Sequence, residues 1–134
     1  MNNNLTILIG KAIAASRKAY VPYSNYRVGA ALLSTDDTVY TGCNVENSSY
    51  PAGICAERTA IVKAVSEGVQ NFKTIVVATK NGGSPCGICR QVMNEFAPDM
   101  RVVMVNFDGE IVLDTTVEGL LPHGFGKEKL DIVD

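Results

Sequence analysis

The stretch KTIVVAT at residues 73–79 constrains the fold more than any other segment. Its β-branched residues run without a regular polar alternation, so it predicts a strand buried on both faces. Helix-forming sequence brackets it. CAERTAIVKAVSEG comes before and is stopped by Gly68, and Gly87 to about Phe96 predicts a second helix, entered through Pro85 and Cys86 and closed near Pro98. A strand covered on both sides, with helices before and after it, requires a layered α/β architecture.

The remaining segments fit that frame. Apolar residues at Leu5, Leu8, Ile9, Ala12, Ile13, Ala15 and Ala19 predict a helix over 5–20, ended by Pro22. RVGAALLS (27–34) predicts a buried strand, Asp36 and Asp37 a hairpin turn, and TVYTGCNVE (38–46) the partner strand. In that partner Val39, Thr41, Cys43 and Val45 share one face, taken as the apolar one. Asn44 and Glu46 emerge together on the other, an amide beside a carboxylate. RVVMVNF, a DG turn and EIVLD predict a second hairpin over 101–114. TTVEGLL opens a short helix with a capping threonine, and GKEKLDIVD predicts a final helical turn. The order α-β-β-α-β-α-β-β-α, with right-handed crossovers joining parallel neighbours, gives a three-layer α/β/α sandwich around a five-stranded mixed sheet, one domain over 1–134.

Charge excludes several functions. The net charge is −2 and the basic residues are scattered, so no stripe exists to grip a phosphate backbone. The amino terminus has no charged leader region, and its apolar run LTILIG is short and followed by Lys11, which argues against a signal peptide or a membrane span. The expected location is a reducing cytoplasm, where four cysteines point to metal binding or catalysis before disulfides.

Those cysteines fall in two helix-opening clusters. Cys55 stands two residues before Glu57 and three before Arg58, while Cys86 and Cys89 form a C-x-x-C pair. Helix N-termini offer free N–H groups and partial positive charge, both of which favour thiolates. Side by side, the two helix starts would supply Cys55, Cys86 and Cys89 as three ligands to zinc, leaving a fourth position for water. A C-x-x-C pair alone also suits a redox site, and Cys43 as a fourth thiolate would make the zinc structural. Its register in the alternation assigns Cys43 to the core instead. His123, between Pro122 and Gly124, reads as a solvent-facing loop residue. Glu57 is placed to move protons, although by itself it also reads as an ordinary first-turn glutamate. Arg58 is a candidate to draw electron density from the sulfurs and so offset the poor acidity of a three-thiolate zinc, and Arg90 is a second candidate for that task.

CAERTA paired with PCGICRQV resembles the cytidine deaminase family in its short homotetrameric branch, and carries the general zinc-deaminase signature with cysteine as first ligand. VPYSNYRVGAALL, GCNVENSSYPAGICAERTAIVKAVSEG and LLPHGFG resemble family segments as well, so the likeness spans nearly the whole chain. The resemblance implies a cytidine-deaminase-like fold and hydrolytic deamination of cytidine and 2′-deoxycytidine to the uridine nucleosides plus ammonia, in pyrimidine salvage. It implies one zinc ion per subunit on Cys55, Cys86 and Cys89, with Glu57 shuttling protons. Asn44 and Glu46 match a ribose-binding pair, and Ala56 a backbone contact to the pyrimidine. Phe125 matches an aromatic that stacks on the base across a subunit boundary, so a homotetramer with shared active sites is implied. Tyr26 departs from the pattern. Many relatives carry phenylalanine there, packed on the nucleoside, and the added hydroxyl needs a partner. Deamination of bases within a polynucleotide, or of another cytosine-bearing molecule, are the rival activities; the first lacks the phosphate-binding cations it requires.

Overall fold

The computed structural model describes residues 4–130. The chain runs α1 (Leu5–Ser16), β1 (Gly29–Ser34), β2 (Val39–Cys43), α2 (Ala56–Ser66), β3 (Phe72–Ala78), α3 (Gly87–Phe96), β4 (Arg101–Val105), β5 (Ile111–Thr116) and α4 (Val117–Leu120). Short 3₁₀ turns at Tyr50–Ala52 and Lys127–Leu130 complete it. The expected helical turn at the carboxyl end is present to Leu130, and the rest of that stretch lies outside the described residues.

The five strands form one sheet in the order β2-β1-β3-β4-β5. Only β3 and β4 are a parallel pair; β1 runs antiparallel to both β2 and β3. The expectation of parallel neighbours at both crossovers therefore holds for one. The α2 crossover joins β2 and β3, which point the same way, but β1 lies between them because the first hairpin folds its leading strand inward.

Strand alternation divides the core. Leu32, Ile75, Val77, Val102 and Met104 pack towards α2 and α3 together with Ala60, Ile61, Cys89 and Met93. Leu33, Val76, Val103 and Val105 face α1 through Leu8 and Ala12. Each wholly buried aliphatic side chain contributes about 1.5–3 kcal/mol relative to exposure. The central strands have both faces covered, which is why their sequences are continuously apolar.

Two expectations are corrected here. Helix α1 ends at Ser16, short of residue 20: the Ser16 hydroxyl donates to the Ile13 carbonyl at 2.6 Å, and Arg27 Nη1 captures the Arg17 and Ala19 carbonyls at 3.3 and 2.8 Å. Cys43 is half-buried and is absent from the packed core on either face. On β2 the buried positions are Tyr40 and Gly42, under α2, so the better-covered face is the one opposite Cys43.

Candidate active site

Both thiol-bearing segments are helix caps. Cys55 is the N-cap of α2 and Cys86 that of α3, each in extended backbone geometry, and Cys89 lies one turn further along α3. The two helices lie on the same face of the sheet and contact each other, so their positive ends converge. The result is a cluster in which the Sγ atoms of Cys55, Cys86 and Cys89 all lie within 4.8 Å of one another. Cys55 and Cys86 are 3.8 Å apart, Cys86 and Cys89 3.5 Å. Tetrahedral zinc with Zn–S bonds of about 2.3 Å sets its sulfurs about 3.8 Å apart, so the cluster fits that ion. Among the described residues the group holds three such side chains and no fourth, which leaves one tetrahedral position without a protein ligand.

Electrostatics point the same way. The Cys55 thiol is drawn down to about 5, first by the Cys89 thiol that donates to it and then by Arg58, whose Nη2 is 3.5 Å from the sulfur. Cys89 moves the other way, above the ordinary thiol range, because it retains the proton it shares with Cys55 and is buried. One guanidinium thus supports one thiolate. Three thiolates at this spacing require a cation of higher charge, as a zinc ion provides. The Arg58 Nε is buried without a hydrogen-bond partner, and the Arg58 guanidinium is held further on its charged side, chiefly by Cys55.

Arg90 does not share this task. Its guanidinium donates to the Pro85 carbonyl at 2.8 Å, the Leu120 carbonyl at 2.9 Å and Ser84 Oγ at 2.9 Å, so it fastens the loop before α3 to α4. His123 is exposed, as expected.

A cavity of about 280 Å³ opens beside the sulfurs. Cys55, Cys86, Glu57, Asn44, Glu46 and Tyr26 all line it, so most of the residues singled out in the sequence meet in one place. Glu57 is 4% exposed, and burial pushes its carboxyl up to about 7. Asn44 and Glu46 are held by a turn that sequence pattern did not reveal. Asn44 Oδ1 accepts from the Val28 amide at 2.9 Å and its Nδ2 donates to the Tyr26 carbonyl at 2.9 Å. Glu46 accepts the amides of Tyr23 and Ser24 at 3.0 and 3.1 Å and, on its other oxygen, the Ser24 hydroxyl. These bonds, led by that of Ser24, hold the Glu46 carboxyl below its ordinary value. Ser24, Thr79, Gly83 and Ser84 also line the cavity. As small or polar loop residues they have no periodicity that would have marked them.

Ala56 is buried as the first residue of α2, where helix geometry leaves N–H groups without intrahelical partners. Phe125 is not brought to the cavity of its own chain. It is 56% exposed, with its carbonyl bonded by Gln91 Nε2 at 2.8 Å. Volume does not single out the site, since a cavity of about 290 Å³ between α1, β2 and α2 carries lysines but none of the clustered thiols.

Three thiols able to hold a metal at two helix starts, a buried acid beside them and an adjoining polar pocket define the site of a zinc-dependent hydrolase on an α/β/α scaffold. The comparisons with known proteins carry this further. A family model described as the cytidine and deoxycytidylate deaminase zinc-binding region matches residues 3–106. A cytidine deaminase from Sporosarcina psychrophila is 52% identical over 126 residues, covering 92% of each chain. One from Halalkalibacterium halodurans is 48% identical over 128 residues, covering 93% of this chain and 96% of the relative. The crystal structure of cytidine deaminase from Burkholderia pseudomallei superposes with a TM-score of 0.87 at 45% identity, over 91% of this chain and 99% of that one. The chain belongs to the cytidine and deoxycytidylate deaminase family.

Proposed function

We propose that this chain, as a single catalytic domain over 1–134, hydrolyses cytidine and 2′-deoxycytidine to uridine and 2′-deoxyuridine with release of ammonia, in pyrimidine salvage. The observation that carries the choice of a free nucleoside is the lining of the cavity. Two carboxylates, an amide and hydroxyls face it, while among the described residues no lysine or arginine does, so it suits a neutral sugar and base and offers nothing to a phosphate.

Cys55, Cys86 and Cys89 hold the zinc ion, which when bound supplies the Lewis acidity that makes water nucleophilic at neutral pH. Glu57 handles the protons. It takes one proton from the attacking water and delivers it to N3 of cytosine, then takes the second from the new C4 hydroxyl and passes it to the departing amine, so that C4 becomes a carbonyl as ammonia leaves. Its burial supports this role, because a carboxyl whose two protonation states lie close in energy both accepts and donates near neutral pH. The Arg58 guanidinium donates to Cys55 and tempers the negative charge of the sulfurs. The backbone of Ala56 faces the pyrimidine.

Lone-pair accounting at Asn44 and Glu46 supports activity on both nucleosides. An ionised carboxylate offers about four acceptor sites, and the turn at Tyr23–Ser24 takes three at Glu46. Asn44 retains a second Nδ2 hydrogen. Together they satisfy one hydroxyl, which donates to Glu46 and accepts from Asn44. A second ribose hydroxyl finds no partner in this pair, so its removal costs little there.

Phe125, exposed and away from its own cavity, supports completion of each site by a neighbouring subunit in a homotetramer. The apolar Ile111, Val112 and Leu113 left exposed on β5 favour association as well. No helix among the described residues is long and apolar enough to cross a membrane, and a cytoplasmic location suits the free thiols. The test is incubation of zinc-loaded protein with cytidine and with 2′-deoxycytidine, following loss of cytidine absorbance and release of ammonia, with the oligomer sized by sedimentation. Turnover of both nucleosides is expected. Folded, zinc-loaded tetramer that is inert on both would overturn the substrate assignment.

A further inference from the structure

Tyr26 stands between the two ends of the cavity. Its backbone belongs to the sugar end: the amide donates to Ser24 Oγ at 3.0 Å, and the carbonyl accepts from Asn44 Nδ2 at 2.9 Å. Its hydroxyl reaches the metal end. There it donates to Asn81 Oδ1 at 2.7 Å, the shortest of three bonds that this oxygen accepts; the Gly83 amide and the Thr79 hydroxyl follow at 3.2 and 3.3 Å. The Gly83 amide also donates to Thr79 Oγ1 at 2.8 Å. An added Cβ on Gly83 would lie 3.2 Å from the Tyr26 hydroxyl, so loop and side chain are in close contact.

The segment gathered by these bonds, residues 79–85, leaves β3 and ends at Cys86. Its two ends are fixed by different groups. Arg90 holds Ser84 and Pro85 at the α3 side, and the Thr79 amide donates to the Val105 carbonyl at 3.1 Å at the β3 side; between these anchors, the side-chain bond that reaches Asn81 from outside the segment is the one that Tyr26 donates. A phenylalanine in this position would pack its ring in the same place and make no bond to Asn81.

We propose that the Tyr26 hydroxyl is a latch that pins the 79–85 loop, and with it Cys86, to the wall of the cavity. Tyr26 is thereby a positioning residue, coupling the geometry of the sugar-binding turn to that of the metal-bearing loop. The metal arm of this inference stands on geometry alone, and only the kinetic arm rests on the deaminase reading.

The experiment compares zinc-loaded Tyr26→Phe, Asn81→Ala and the double variant with the parent. Amide hydrogen exchange over residues 80–86, the rate of zinc loss to a chelator, and kcat and KM for cytidine are measured. Tyr26→Phe keeps the ring and so keeps the packing. Loss of one neutral hydrogen bond is expected to speed exchange and zinc loss by roughly fivefold in Tyr26→Phe, and Asn81→Ala, which also withdraws the acceptor of the Gly83 amide and the Thr79 hydroxyl, is expected to exceed that. The double variant is expected to match Asn81→Ala alone, because that substitution already removes the bond that Tyr26→Phe removes. The kinetic expectation is a fall in kcat larger than the rise in KM, since the disturbed group is at the metal and not the sugar. Exchange and zinc loss in Tyr26→Phe equal to the parent would overturn the latch, and so would a double variant whose effect is the product of the singles. Failure of cytidine turnover in the parent with the exchange pattern intact would sink the substrate assignment and leave the latch standing.

Discussion

Gly42→Ala tests how α2 is seated. A Cβ built on Gly42 falls 2.6 Å from both the Ala56 carbonyl oxygen and the Ala60 amide nitrogen, which are backbone atoms of the helix that carries Glu57 and Arg58. Ordinary contact begins at 3.4 Å, so α2 has to retreat from β2 by about 0.8 Å. No flexible side chain can absorb the displacement. Overpacking of this kind costs about 1–3 kcal/mol. The functional penalty is expected to be larger in proportion, because a misplacement of about 1 Å in a catalytic group lowers rates by about 10²-fold. Gly10→Ala is the companion. It lies inside α1 with nothing within 4 Å of the added methyl, so it is expected to stabilise by about 0.5–1 kcal/mol and leave turnover unchanged. Urea unfolding midpoints and cytidine turnover of zinc-loaded protein supply both numbers. A folded Gly42→Ala protein whose kcat stays within about threefold of the parent would refute the claim that this close approach sets the position of Glu57.

Glu57→Gln is expected to lower kcat by about 10²–10⁴-fold with zinc content unchanged, checked by metal analysis beside the activity assay. Cys43→Ser should retain one zinc per chain, whereas Cys86→Ser should lose it on dialysis; equal retention in both would place the metal elsewhere. Glu46→Gln carries a pH signature. The Glu46 carboxyl is depressed in the fold, so its contribution is complete above the unfolded value near 4.5 and fades as pH falls through the lower folded value. The parent's advantage in urea midpoint over Glu46→Gln should therefore be present at pH 7 and vanish in strong acid, and an advantage independent of pH would contradict the bonding to Ser24.

The thiol cluster and the acid beside it were legible because their signals are local. Cys55 and Glu57 share one helix start, Cys86 and Cys89 another, and Pro85 and Pro98 bracket α3 closely enough that its range of Gly87–Phe96 was recovered. A capping threonine at the start of α4 was also legible, and it is Thr116, which accepts from the Gly119 amide at 3.1 Å. The failures share a different cause. The end of α1 depends on Arg27 and on the pairing of Tyr20 with Val45, contacts between segments that no local pattern records. Alternation along β2 correctly separated Cys43 from Asn44, yet it could not say which face α2 would cover, and Gly42 has no apolar side chain to announce so tight a packing. Ser24 acts on Glu46 through its amide and hydroxyl, and Asn81 on Tyr26 through one hydrogen bond, each across a long stretch of chain, so neither leaves a spacing to be read. The family resemblance supplied Phe125, which the single chain leaves outside the cavity.

X-ray absorption at the zinc edge of the loaded protein asks the central question most directly, namely how many sulfurs surround the ion. Three at about 2.3 Å and one lighter ligand are expected. Four sulfurs, or fewer than three, would contradict that coordination.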